Sequence, residues 1–273
     1  MSFLPRLAAV LLALGASATT WAGPAEEQRA QNAVRVLTEF QAIPESAIPA
    51  RLFDQARAIV VVPDTLKIGL VFGGRRGHGL VSVKSPDGTW SNPSFVKLTG
   101  GSVGFQAGVQ SSDVVLVFTG DRGLESIVNG KLTLGADASV AAGPVGRTTA
   151  LATDGQLQAE IWSWSRARGM FAGVALDGAM LSIDDDANQA VYGAGSTPRM
   201  VFEGRTSAPS ADAVVTFRDQ LEEATAAARL ERAGSVAPPP VSAAVPSTAP
   251  VAPEAQPQPF ETVESPTRIE PLP

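Results

Sequence analysis

The sequence predicts an α+β protein: a β-rich antiparallel sheet folded as a sandwich or an open barrel, with helices before and after it. Three observations carry this. Between Ala58 and about Tyr192, short β-branched runs alternate with glycines and turn signals. Apolar residues at spacings of three and four flank this region on both sides. The stretch from Gln28 to Gly204, roughly 175 residues, is enough chain for one well-filled core.

The first helix is expected over Glu26–Gln41, where Ala30, Ala33, Val34, Leu37 and Phe40 form one stripe and Glu26 and Glu27 suit the first turn. Ile43-Pro44 ends it, and a helical turn follows over Pro49–Ala56, with proline at the tolerated first position. Strands are expected at Ile59–Val62, Ile68–Phe72, Gly79–Lys84, Phe95–Thr99 and Val114–Thr119, and the pattern continues through Leu132–Ala142 and Gln158–Ser165. Pro86-Asp87-Gly88 and Asp154-Gly155 read as turns, and Asp121–Val128 as a helical interruption. The last helix spans Ser210–Arg232, with Val214, Phe217, Leu221, Ala224 and Ala228 on one face between Pro209 and Gly234.

Both ends of the chain lie outside this domain. Arg6, the apolar run Leu7–Leu14 and the small residues up to Ala22 follow the grammar of a secretory signal peptide over residues 1–22. Cleavage is expected after Ala22, with Ala18 the other site, and the product is exported to the periplasm or secreted. From Ser235 to Pro273 the chain holds 11 of its 21 prolines, so neither helix nor ladder can form there. This tail can space the domain or dock a protein partner. The domain itself is expected over residues 23–204, the last helix over 205–234.

Composition excludes several classes. With no cysteine, the fold has neither disulfides nor a lipid anchor, and one histidine cannot build a zinc site. The formal charge of −6 becomes −7 once Arg6 leaves with the leader, which is no match for nucleic acid. Gly100, Ser102 and Gly104 form a G-x-S-x-G pattern, but a nucleophile elbow needs a later histidine and His78 precedes it. The segment reads as structural glycine, and the protein as no enzyme.

Gly73-Gly74-Arg75-Arg76-Gly77-His78-Gly79 is the most suggestive run. Its arginine forks suit phosphate oxygens, glycine turns can aim backbone amides at an anion, and Lys67 and Lys84 flank it. The same residues equally suit a hairpin turn with solvated charges. Asp184, Asp185, Asp186 and Asn188 imitate part of a calcium loop, but Gln189 and Gly195 stand where an EF-hand needs glycine and glutamate. A looser Ca²⁺ site and a plain acidic turn both fit; no other cofactor is indicated. Trp162 and Trp164 alternate, so both indoles share one sheet face, as core or as an interfacial pair.

Six stretches together resemble the SYLF domain family: Ala58–Pro63, Lys67–Gly79, Trp90–Gln110, Asp113–Phe118, Leu134–Arg147 and Arg166–Tyr192. The resemblance covers residues 30–195. It implies a lipid-binding module of an exported bacterial branch, related to fungal and animal domains that regulate actin. On that basis Lys67, Arg75, Arg76, Lys84, Trp162 and Trp164 are the candidate contacts to an anionic phospholipid headgroup at an envelope membrane. The alternative is an envelope scaffold that docks a protein partner through its proline-rich tail.

Overall fold

The computed structural model describes residues 23–42, 48–69, 72–103, 108–143, 159–167, 170–173, 176–208 and 211–235. The expected leader over residues 1–22, the expected tail beyond Ser235, Ile43-Pro44, Asp154-Gly155 and Pro209 lie outside the described residues. The described residues belong to one folded unit that closes at Val236.

Helix α1 runs Pro24–Ala42 and buries Ala30, Ala33, Val36, Leu37 and Phe40. Its apolar stripe is the expected one, with Val36 fully buried and Val34 at its margin. Helix α2 (Ala50–Gln55) starts one residue later than expected, because Pro49 occupies the N-cap rather than the first turn. Strands β1 (Ala58–Gly69) and β2 (Phe72–Val83) are twelve residues each and pair antiparallel on both sides of an irregularity between Val61 and Leu66. Of the expected strand Ile68–Phe72, Ile68 and Gly69 end β1 and Phe72 begins β2, while Leu70 and Val71 lie outside the described residues. Strands β3 (Ser94–Val103) and β4 (Gly108–Phe118) flank this hairpin on either side. Helix α3 occupies Asp121–Val128, the range read from sequence. The short strands β5 (Lys131–Thr133), β6 (Val140–Ala142), β7 (Ile161–Ala167), β8 (Met170–Gly173) and β9 (Met180–Ile183) complete the sheet. Helices α4 (Asp185–Tyr192), α5 (Pro198–Phe202) and α6 (Asp212–Ser235) follow.

The strand order is β5-β9-β3-β2-β1-β4-β7-β6, with β8 on β7, and only the β6–β7 pair is parallel. One curled sheet, an open half-barrel, thus forms where a sandwich was the other expectation. Both of its faces are covered. On the helix face Ile59, Val61, Leu80, Phe95, Val115, Val117 and Trp164 pack against Leu37, Leu52, Tyr192, Phe217 and Leu221. On the inner face Val60, Val62, Val81, Val96, Leu98, Val114, Leu116 and Phe118 pack with Ile127, Leu132 and Leu181. Burial on both sides explains why Ala58–Val62 and Val114–Phe118 read as unbroken apolar runs rather than alternating ones. Helix α6 shares the helix-face core with α1 and α2.

The centre of β1 is irregular. Between Val61 and Leu66 it carries one residue more than β2 opposite, a β-bulge at Pro63-Asp64 with Asp64 at φ 47°. The Asp64 amide donates to Asp113 Oδ1, 3.1 Å away, which holds the bulge in place. Gly77 and Gly79 lie under it. A Cβ on Gly79 would sit 2.1 Å from the Val61 carbonyl oxygen, and one on Gly77 2.5 Å from Val62 Cγ1. Gly73–Gly79 is therefore not a turn, as its glycine content suggested, but the body of β2, and two of its glycines serve close approach to β1.

Candidate functional site

Helix α1 crosses the helix face and divides the sheet into a packed half and a projecting half. Beneath it a polar row runs across the strands: Lys97 pairs with His78, Asp64 fills the bulge, and Asp113 pairs with Arg166. Arg29, Arg35 and Glu39 of α1 meet this row. Arg29 Nη1 lies 3.1 Å from Asp184 Oδ2, and Lys97 Nζ 2.9 Å from Asp184 Oδ1. Arg35 reaches Asp113 at 3.7 Å and Asp64 at 3.8 Å, while Arg166 contacts both Glu39 and Asp113. Two carboxylates, Asp184 and Asp113, are thus hubs that tie α1 to the sheet.

Asp184 is only 4% exposed at its side chain and also caps α4, accepting from the Ala187 amide. Burial opposes its ionisation, yet Lys97, the Ala187 amide and Arg29 together hold its carboxyl below the usual range. Of the residues expected to offer a Ca²⁺ site, Asp184, Asp185 and Asp186, the first already pairs with Lys97 and Arg29. Asp184 is saturated by cations, Asp186 is fully solvated, and no cluster of metal-binding side chains occurs among the described residues. The acidic run opens a helix; three aspartates at an N-terminus answer the helix dipole.

The projecting half comprises residues 66–69, 72–77, 99–103 and 108–112, the ends of four strands beyond α1. Register fixes its two sides. Leu66, Arg76 and His78 share the helix face with Leu80, and Ile68 pairs with both Val109 and Gly74 on that same face. Leu66, Ile68 and Val109 are 39%, 52% and 65% exposed. Lys67 and Arg75 face each other on the inner side, between Gln110 and Gly100. Arg75 is half-buried; burial alone acts on its guanidinium and pulls its pKa below the usual arginine value. The projecting half contains three cationic residues and no Asp or Glu, in a chain whose net charge is −6.

The other expected contacts lie elsewhere. Lys84 is not part of this patch: its ammonium donates to the Phe53 and Asp54 carbonyls at 3.0 Å and sits 4.9 Å from the Trp90 ring centre. Burial pushes its pKa down to about 8, against the pull of Asp54. Trp164 is wholly buried, and Trp162 packs beside it on the same face, as their alternation implied. Neither indole is placed to enter a bilayer interface, because the helices cover that face. Arg75 and Arg76 point to opposite sides of a strand and cannot form one fork-lined loop. In the backbone register Ser102 pairs with Gly73 and His78 with Lys97, five residues apart along β2, or about 16 Å.

Sequence reasoning missed the two hubs. Asp184 and Asp113 meet α1 partners 155 and roughly 80 residues away in the chain, and no local spacing announces that. A cleft of ≈ 360 Å³ opens where the flank of α1 meets the projecting half, lined in part by Arg29, Asn32, Leu66, Arg76 and His78.

Comparison with known proteins finds a family model and several relatives. A family model described as Las17-binding protein actin regulator, Ysc84, matches residues 99–224, from β3 into α6. Protein YSC84 of Saccharomyces cerevisiae is 33% identical over 171 residues, which is 61% of this chain and 36% of that protein. LAS seventeen-binding protein 3 of the same yeast is 32% identical over 170 residues, 61% of this chain and 37% of its own length. The human SH3 domain-containing YSC84-like protein 1 is 33% identical over 172 residues, 61% of this chain and 50% of that protein. The chain thus spans half or less of these relatives' lengths. The family-model match falls on β3 through α6, and together with these relatives it makes the domain built by this chain similar to the SYLF domains of the Ysc84 family.

Proposed function

We propose that this is a non-enzymatic, exported binding protein whose projecting sheet end docks onto an anionic phospholipid surface at the bacterial envelope, in the periplasm or outside the cell. One observation carries the reading: Lys67, Arg75 and Arg76 share a sheet end with exposed Leu66, Ile68 and Val109, with no carboxylate among them. Cations near a negatively charged bilayer contribute ~1 kcal/mol each, and exposed apolar side chains add burial in the interface. No helix among the described residues is long and apolar enough to cross a membrane, so the contact is peripheral. It needs no metal, because Asp184 is committed to Lys97 and Arg29.

Co-sedimentation with neutral and anionic vesicles across a salt series tests this. Binding to anionic vesicles alone, weakened by salt and unchanged by EDTA, is expected. Replacing Lys67, Arg75 and Arg76 by alanine removes ~3 kcal/mol, on the order of a hundredfold in affinity. Equal binding by that triple variant, with its fold intact, refutes the reading.

A second reading follows from the relatives. The family model is described as Las17-binding and one relative is named LAS seventeen-binding protein 3, which makes a protein partner the competing ligand class. If the tail docks such a partner, deleting residues 235–273 abolishes capture while vesicle binding persists; full capture by the truncated chain rules it out.

A further inference from the structure

We propose that the cleft between α1 and the β1–β2 hairpin binds a small organic anion, a carboxylate or phosphate oxyanion carried on a compact apolar body. The cleft measures ≈ 360 Å³, within the range of ligand sites. Its donors come from two elements. Arg76 on β2 has no carboxylate partner among the described residues, so its fork is available to an oxyanion. Arg29 on α1 uses Nη1 for Asp184 and keeps further N–H groups. Asn32, one turn along, accepts from Gln28 Nε2 at 3.2 Å through Oδ1, which leaves its own amide N–H groups to donate. Pro63 and Leu66 form the apolar wall opposite. Asp64, at the edge of the cleft, repels a second negative charge on the body and accepts from a hydroxyl or amine there.

The imidazole of His78 reports the potential inside. Its Nδ1 is buried without a hydrogen-bond partner, 3.5 Å from Asp184 Oδ2 but outside hydrogen-bond geometry. Burial, Arg29 and Arg76 lower the His78 pKa, and Asp184 alone does not offset them. The charged groups around it are Glu26 and Arg29 of α1, Asp64 of the bulge, Arg76 on its own strand, Lys97 of β3, and Asp184 and Asp186 at the start of α4. An anion entering beside the two guanidiniums cancels part of their field, so its binding raises the His78 pKa. This site shares Arg76 and Leu66 with the membrane reading, whereas Lys67, Arg75, Ile68 and Val109 do not line the cleft, so the two readings fail separately.

The test is a titration of the full chain with phenyl phosphate and with hexanoate at constant ionic strength, followed by NMR of the imidazole. His78 is the chain's one histidine, so its resonance needs no assignment. A saturable shift and a raised His78 pKa are expected with at least one probe. Arg76→Gln should weaken binding about tenfold, the equivalent of one charge-assisted hydrogen bond. Asn32→Leu should weaken it as well. Displacement of anionic vesicles by saturating probe assigns the anion to a lipid headgroup; undisturbed vesicle binding assigns it to a free ligand, and either agrees with the proposal. An unmoved His78 resonance with both probes overturns it, as does equal affinity in wild type, Arg76→Gln and Asn32→Leu with folds intact.

Discussion

Replacing Asp184 by asparagine and by alanine separates its two roles. Asparagine keeps a side-chain oxygen for the Ala187 amide but removes the charge facing Lys97 and Arg29; alanine removes both. Breaking a fully buried ion pair costs about 3–5 kcal/mol and an exposed one about 0–1 kcal/mol. Here the carboxylate is 4% exposed and its cations 28% and 32%, which places the charge loss between these limits, at ~2 kcal/mol. Loss of the cap adds ~1 kcal/mol in the alanine variant. Urea denaturation at pH 7 should show both decrements as lower midpoints with an unchanged slope. The sign of the pH dependence follows from the depressed Asp184 pKa. Its contribution is fully present above the unfolded value of ~3.9 and is lost as pH falls through the folded value. The gap between wild type and Asp184→Asn should therefore narrow below about pH 3.9. Because Asp184 partly supports the imidazolium, Asp184→Asn should also lower the His78 pKa further. An asparagine variant within ~0.5 kcal/mol of wild type at pH 7, or a gap that stays constant into acid, refutes the hub.

Other expectations are independent of this one. Gly79→Ala should cost at least ~2 kcal/mol because its Cβ meets backbone of β1, whereas Gly74→Ala, with nothing within 4 Å, should stay within ~0.5 kcal/mol; equal melting shifts would refute the close approach. Trp164→Ala should cost ~3–5 kcal/mol, while Trp162→Phe, which deletes a buried N–H without a partner, should be near neutral in urea midpoints. With Lys84 at about 8 when folded and ~10.4 when unfolded, the unfolded chain binds more protons between these values. Stability should rise with pH across that window in wild type and not in Lys84→Met; parallel profiles would refute it.

Much of the fold was legible. The stripes of α1 and α6 and the range of α3 follow from spacing alone, and unbroken apolar runs located the central strands. The role of the β2 glycines was not legible. Gly77 and Gly79 promote turns in isolation, but here they make room for a bulge contributed by another strand. Asp184–Asp186 resembles a ligand run because N-capping and cation binding favour the same side chains at the same spacing. Of the expected anion contacts, Lys67, Arg75 and Arg76 gather at one sheet end, while Lys84 does not. Its partners, the Phe53 and Asp54 carbonyls, come from a helix end about thirty residues upstream.

The extra residue in β1 has a consequence for how related chains are compared. Alternation counted from Ala58 puts Ile68 inside with Val60 and Val62; counted back from Gly69 it puts Lys67 there, which is where pairing with Arg75 places it. Sidedness at the sheet end is dictated by β2 and β4, and the surplus at Pro63-Asp64 absorbs the difference in length. A relative that has lost one residue at this point keeps its cations inward and its apolar side chains outward, so a one-residue gap there is silent. A gap of the same size anywhere from Leu66 to Gly69 exchanges the two sides of the sheet end along this strand.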